Sequence, residues 1–154
     1  MITFAICDDE PMMAQELAGH LADYMKEKSM TAYSVSSFSN GCALLESSGS
    51  FDVIFLDIQM EQPNGMETAR LLRQRGVHSL LIFVTVLKEC VFDSFQVEAF
   101  DYLLKPLDSA RFCRTMDRVL RSLEKRTAED IVIQRGTGCE VVLLSDIVYC
   151  EVLG

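Results

Sequence analysis

The chain has no apolar run approaching the ~18 residues that a membrane-crossing helix needs, so no transmembrane segment is expected. It also lacks the basic-then-apolar start of a secretory signal, because acidic residues arrive at Asp8 and Asp9. A cytoplasmic location is the expectation. Cysteine occurs six times (7, 42, 90, 113, 139 and 150), but there is no C-x-x-C pair and no interleaved histidine. That argues against a zinc or disulfide framework; several of these cysteines fall inside apolar runs and read as buried, reduced thiols. Positive charge is short too: 14 Lys and Arg stand against 23 Asp and Glu, for a net charge of −9. An acidic surface disfavours non-specific binding to nucleic acid or to an anionic membrane.

What is present is enough for a packed core. The 154 residues are 49% hydrophobic, which suits one full domain with some chain left over. Residues 2–7 (ITFAIC) read as a short buried strand, and Pro11 opens a helix where its missing N–H costs nothing. Met13, Leu17, Leu21 and Tyr24 then mark one helical face. Further strands are expected over 32–38, 52–57, 80–86 and 101–104, with helices after 39–40, after Gly65, over 88–96 and over 108–126. Asn64 and Gly65 close a turn-rich loop that also holds Pro63. Strands alternating with helices predict an α/β doubly wound parallel sheet with right-handed crossovers.

After Arg126 the pattern changes. Residues 130–135, 140–144 and 147–152 are β-rich with no helix between them, and turns are expected at 135–138 and 145–146. So short a β segment is too small to bury a core of its own, and reads as the start of a second domain. The expected division is 1–124, a linker over 125–129, and 130–154.

Four polar signals end four of the strands: Asp8-Asp9, Asp57, Thr85 and Lys105-Pro106. In an open parallel sheet the C-terminal strand ends share one edge, where ligands bind. Three carboxylates brought together repel one another; a hard divalent cation relieves this, and oxygen donors of this kind suit Mg²⁺. The arrangement reads as a metal-assisted phosphoryl acceptor. The bland alternative is a set of strand-end caps, with Thr85 a plain β-former, Tyr102 a half-buried strand aromatic and Glu10 a first-turn helix residue.

Together, Asp8-Asp9-Glu10, Asp57, Thr85 and Lys105-Pro106 resemble the receiver domain of two-component response regulators, over about residues 1–122. The resemblance implies a five-stranded, flavodoxin-like receiver fold that accepts a phosphoryl group from a sensor histidine kinase on Asp57. It implies that Asp9 and Asp57 bind Mg²⁺ directly, Asp8 through a water, and Gln59 by its backbone carbonyl. Lys105 and Thr85 would contact the phosphoryl group, Tyr102 would be the switch aromatic that turns inward, and the Lys105–Pro106 peptide would be cis. Such a protein is a phosphoacceptor that catalyses only its own phosphorylation and dephosphorylation. Three departures from the family pattern bear on rates: Glu61 and Pro63 where a proline is usual four residues past the acceptor, Val86 where a small residue follows the threonine, and an apolar Leu87, which with Gln59 tunes acyl-phosphate lifetime.

Residues 131–152, above all Leu144 to Tyr149, resemble the opening strands of the LytTR DNA-binding domain, and 100–106 (FDYLLKP) has the flavour of LytR/AgrA-like regulators. The family's DNA-contacting segments lie later, and residues 129–154 carry five acidic side chains and one arginine, the wrong sign for phosphate contact. DNA binding is therefore expected of a longer parent and not of this chain. Arg111, Arg114, Arg118, Arg121 and Lys125 line one face of the last helix. They read either as a solvated face or as half of a homodimer contact through the fourth helix, fifth strand and fifth helix, with Glu98 and Asp101 as acidic partners. Two other functions remain open: a haloacid-dehalogenase-type Mg²⁺ phosphotransferase, against which the adjacent aspartates argue because that family uses Asp-x-Asp, and an interaction module that takes no phosphate.

Overall fold

The structure, a computed structural model of the 154-residue chain, describes residues 1–87, 95–128, 130–135 and 138–143. It divides into two units, Met1–Met116 and Asp117–Gly154. In chain order the elements are β1 (Ile2–Cys7), α1 (Pro11–Glu27), β2 (Tyr33–Phe38), α2 (Gly41–Glu46), β3 (Val53–Leu56), α3 (Gly65–Gln74) and β4 (Leu80–Thr85). A 3₁₀ turn (Phe95–Val97), β5 (Asp101–Leu104), α4 (Ser109–Ala128), β6 (Asp130–Arg135) and β7 (Gly138–Leu143) follow.

Strands β1 to β5 form one parallel sheet in the order β2-β1-β3-β4-β5. The expected doubly wound, flavodoxin-like architecture is thus present, and its strand order reverses between β1 and β3, where such sheets open a crevice. Alternation along the strands builds two apolar layers. Ala5, Cys7, Ile54, Leu56, Leu81 and Phe83 pack with Leu44 of α2 and with Met66, Ala69 and Leu72 of α3. On the other face Phe4, Phe55 and Phe112 stack in sequence, with centroid separations of 6.4 and 6.1 Å, and Tyr24 of α1 meets Phe112 edge-on at 6.4 Å. β3 and β4 are buried along their whole length, as apolar strands between two helical layers must be. β2 is the exception: its sequence YSVSSF is mostly exposed.

Local chemistry sets the helix starts. Asn40 caps α2 by accepting from the Ala43 N–H at 2.8 Å. At α3, Asn64 accepts from the Glu67 N–H at 2.9 Å while Glu67 accepts from the Asn64 N–H at 3.0 Å, a reciprocal capping box. The Arg73 guanidinium, near the other end of α3, donates to the carbonyls of Val77, Ser79, Val97 and Glu98. It ties the approach to β4 to the segment that precedes β5.

Several boundaries differ from expectation. α4 continues through Ala128, so the linker expected over 125–129 is helical over 125–128; Lys125 and Arg126 occupy its last turn, where positive charge complements the helix dipole. The unit boundary falls at Met116, earlier than residue 124. β7 begins at Gly138, which pairs with Arg135, and not at residue 140. Of the helix expected over 88–96, residues 88–94 lie outside the described residues and Phe95–Val97 form a 3₁₀ turn. Residues 136–137, the turn at 145–146 and the strand at 147–152 also lie outside them. No helix among the described residues is long and apolar enough to cross a membrane.

Phe112 is 1% exposed and is the contact by which α4 meets the aromatic stack. Phe112→Ala should cost about 3–5 kcal/mol, the range for emptying a buried aromatic site. Urea unfolding followed by circular dichroism measures it, with an unchanged m-value expected.

Candidate functional site

The strand ladders run one residue beyond the strands at the C-terminal edge, and this fixes the polar groups. The Asp8 N–H donates to the Phe38 carbonyl (3.0 Å), the Asp57 N–H to the Cys7 carbonyl (2.9 Å) and the Lys105 N–H to the Thr85 carbonyl (2.9 Å). Residues far apart in sequence are thereby held side by side. Carboxylate oxygens of Asp8, Asp9 and Asp57 lie within 4.8 Å of one another. Asp8 and Asp57 are 5% and 3% exposed, whereas Asp9 faces solvent. The Lys105 ammonium bonds Asp8 Oδ2 at 2.7 Å and Asp57 Oδ2 at 2.8 Å, and lies 3.9 Å from Glu10 Oε1.

Each buried carboxylate also accepts a backbone bond that fixes its rotamer. Asp8 Oδ1 takes the Glu10 N–H (2.9 Å), and Asp57 Oδ1 takes the Gln59 N–H (3.1 Å). Gln59 therefore enters the described bonding through its N–H, and its side chain is exposed. A second group forms next door, around Leu87. Thr85 is fully buried, and its Oγ1 accepts from the Leu87 N–H at 3.4 Å. The Tyr102 hydroxyl donates to the Leu87 carbonyl, and its ring lies 6.1 Å from Phe83. Thr85 and Tyr102 thus meet through the backbone of one residue, with Tyr102 in an inward pose. Val86, between Thr85 and Leu87, is 53% exposed, and Glu61 is exposed as well. The Lys105–Pro106 peptide is cis, as expected, and so is Gln62–Pro63.

Electrostatics follow from this geometry. Burial on its own lowers the pKa of Lys105, but the hydrogen bonds and charges of Asp57 and Asp8 outweigh it and hold the group above the ordinary lysine value. One unit pair at 2.8 Å and an effective dielectric of 20 is worth about 6 kcal/mol before desolvation costs, which is why attraction wins. The Cys7 thiol, buried beneath the carboxylates, is pushed up to about 12 by burial first and then by Asp8, Asp57 and Asp9. Its Sγ–H points to the Met60 thioether at 3.8 Å. The expectation of a buried, reduced thiol holds for Cys7, while Cys42 is exposed.

Two features escaped the sequence reading. A Cβ on Gly65 would sit 2.0 Å from the Asp57 carbonyl oxygen and 2.6 Å from Ile58 Cα, so glycine is required there by close approach and not by turn geometry. Glu10, read from the sequence as a helix-start residue, does stand at the start of α1, and its exposed carboxylate also lies 3.9 Å from the Lys105 ammonium. The donor set of three converging carboxylates with a balancing ammonium fits a hard divalent cation such as Mg²⁺.

A family model for the response regulator receiver domain matches residues 4–117. The chain belongs to this family. The receiver is 34% identical over 128 residues to an uncharacterized response regulatory protein of Vibrio cholerae, covering 82% of this chain and 48% of that protein. It is 36% identical over 67 residues to the sensory transduction protein LytT of Bacillus cereus, covering 44% of this chain and 27% of LytT. Among solved structures, the response regulatory domain of protein MrkE from Klebsiella pneumoniae superposes with a TM-score of 0.72 at 27% identity, over 80% of this chain and 99% of that one. The chain spans about half the length of the response regulatory proteins it matches in Vibrio cholerae.

Two measurements follow from the site. Gly65→Ala must displace the Asp57–Ile58 backbone; a loss of about 1–3 kcal/mol is expected from overpacking of this kind, read by thermal unfolding. The pH dependence has a fixed sign. Above pH 9.0 the unfolded Cys7 ionises while the folded thiol stays protonated up to about 12, and Lys105 likewise keeps its proton longer when folded. The folded chain then binds more protons than the unfolded one, so stability falls as pH climbs through this window. Urea titrations between pH 8 and 11.5 should show the fall, and Cys7→Ala should remove its lower part.

Proposed function

We propose that this receiver accepts a phosphoryl group from a sensor histidine kinase on Asp57 and passes the change to a LytTR-type transcriptional output carried by a longer parent protein. The observation that carries the reading is the Lys105 ammonium bonded at once to Asp8 and Asp57, within a cluster of three converging carboxylates. An Asp57 carboxylate oxygen attacks phosphorus, the P–N bond to the kinase histidine breaks with its electron pair returning to the imidazole, and an acyl phosphate forms. Asp9, Asp57, the Gln59 carbonyl and, through a water, Asp8 would hold Mg²⁺, which would supply charge neutralisation for the phosphoryl oxygens. Lys105, already within bonding distance of Asp57 Oδ2, pairs with a phosphoryl oxygen once that carboxylate is phosphorylated. Thr85 accepts from the Leu87 N–H, which leaves its own proton to donate to the same group. The chain turns over no external substrate; it catalyses only its own phosphorylation and dephosphorylation.

Adjacent Asp8 and Asp9 stand where a haloacid-dehalogenase-type enzyme needs Asp-x-Asp, so the receiver reading is preferred. The LytTR output is supported by the Leu144–Tyr149 sequence and by the likeness to LytT. A cytoplasmic location accords with a kinase partner and a DNA target. A homodimer through the last helix would draw on exposed Glu98 and Arg114, because Asp101 is already ion-paired with Arg111 of the same chain at 2.7 Å.

Incubation with Mg²⁺ and acetyl phosphate should add one acid-labile phosphoryl group, read by intact mass, and Asp57→Asn should abolish it. Beryllofluoride should bind the unsubstituted chain in a Mg²⁺-dependent manner. Lys105→Ala should slow phosphorylation by about 10–100-fold, the loss of one charge-assisted hydrogen bond. Phosphorylation that is unaffected by Asp57→Asn would overturn the assignment.

A further inference from the structure

The side chain of Asp101 is only 7% exposed although it lies on the edge strand β5. Its Oδ1 accepts from the Tyr102 N–H at 2.8 Å and from Arg111 Nη2 at 2.7 Å, and its Oδ2 accepts from the Thr115 hydroxyl at 2.6 Å. Arg111 and Thr115 both belong to α4 and are one helical turn apart, so one carboxylate joins the strand to the helix through both of its oxygens. Thr115 is 1% exposed, which excludes water from that side of the cluster. A buried carboxylate with paired donors is strongly positioned, because any rotation leaves a charge unsatisfied.

The Tyr102 bond matters most. Through it the same carboxylate that grips α4 also holds the backbone of the residue whose ring packs on Phe83. Because side chains alternate along β5, the carboxylate reaches toward α4 while the Tyr102 ring packs on the opposite layer, against Phe83. Backbone rotation at the 101–102 peptide is thereby restrained on one face by α4 and on the other by the Tyr102–Leu87 bond.

We infer that Asp101 is a positioning residue: with Arg111 and Thr115 it clamps β5 to α4 and holds Tyr102 in its inward pose, and so sets how readily the Asp57 site switches. Its link to switching rests on the function proposed above; the clamp itself does not. The Tyr102 N–H, Arg111 and Thr115 need both oxygens of a carboxylate, and an asparagine offers one. Asp101→Asn therefore releases part of the cluster with little change of volume.

The chain has four tyrosines, so ¹³C-tyrosine labelling with Tyr102→Phe as the assignment control resolves Tyr102 by NMR. In ligand-free Asp101→Asn its ring signals should move toward those of a solvent-exposed tyrosine, while the rest of the spectrum stays that of a folded protein. With Mg²⁺, beryllofluoride affinity should fall about fivefold or more, the scale of a modest coupling between sites. In a Tyr102→Ala background Asp101→Asn should then have no further effect. An unchanged Tyr102 signal overturns the clamp, and an affinity loss that persists in Tyr102→Ala marks Asp101 as structural support alone. If the unsubstituted chain binds no beryllofluoride, the phosphoacceptor reading fails, while the ligand-free Tyr102 signal still decides the clamp. Thr115→Val, which removes a single donor, carries the same readouts should Asp101→Asn fail to fold.

Discussion

One ammonium holds the functional edge of this protein together. Lys105 bonds two buried carboxylates, Asp8 and Asp57, carried by adjacent strands, whose like charges would otherwise repel. Burial works against the lysine, yet two charge-assisted bonds more than offset it. The same group marks the end of β5, because its backbone N–H still belongs to the ladder with β4. The strand pairing and the charge pairing therefore depend on the same few residues, and neither can shift without the other.

Around that pair the site divides into two parts with different chemistry. The carboxylate part is anionic, partly open through Asp9, and suited to a hard cation. The Leu87 part is built from a hydroxyl, a phenol and one backbone unit, and carries no formal charge. An event on Asp57 can alter the first electrostatically, whereas the second responds by exchanging hydrogen bonds. Asp101 and Arg73 brace the neighbourhood of the second part, each using a charged side chain to satisfy groups from two segments.

Much of this was legible in the sequence, for a physical reason. A strand buried on both faces needs an unbroken apolar run, so a polar residue that ends the run marks the sheet edge; Asp8, Asp57 and Lys105 all announced themselves this way. β1, β5 and β6 match the expected bounds, β2, β3 and β4 differ by one residue at one or both ends, and β7 starts two residues early. Contacts between distant residues left no such trace. Arg73 binds carbonyls at 97 and 98, and no periodicity connects those positions. Gly65 resembled an ordinary turn glycine, since its closeness to the Asp57 carbonyl exists only once α3 is docked. Asp101 read as a surface charge for a second copy because its alternation on a short edge strand could not be distinguished from exposure; its burial comes from α4.

The sheet's two borders are finished in unlike ways. Beside β5 the Asp101 carboxylate is tied to α4 through Arg111 and Thr115. At β2 the residues are mostly exposed, and three serines in six residues give an intruding strand little oily surface to cover. Backbone pairing alone is a weak reward in water. A change of Ser34 or Ser36 to valine or isoleucine would put apolar surface on this exposed edge strand and make it adhesive.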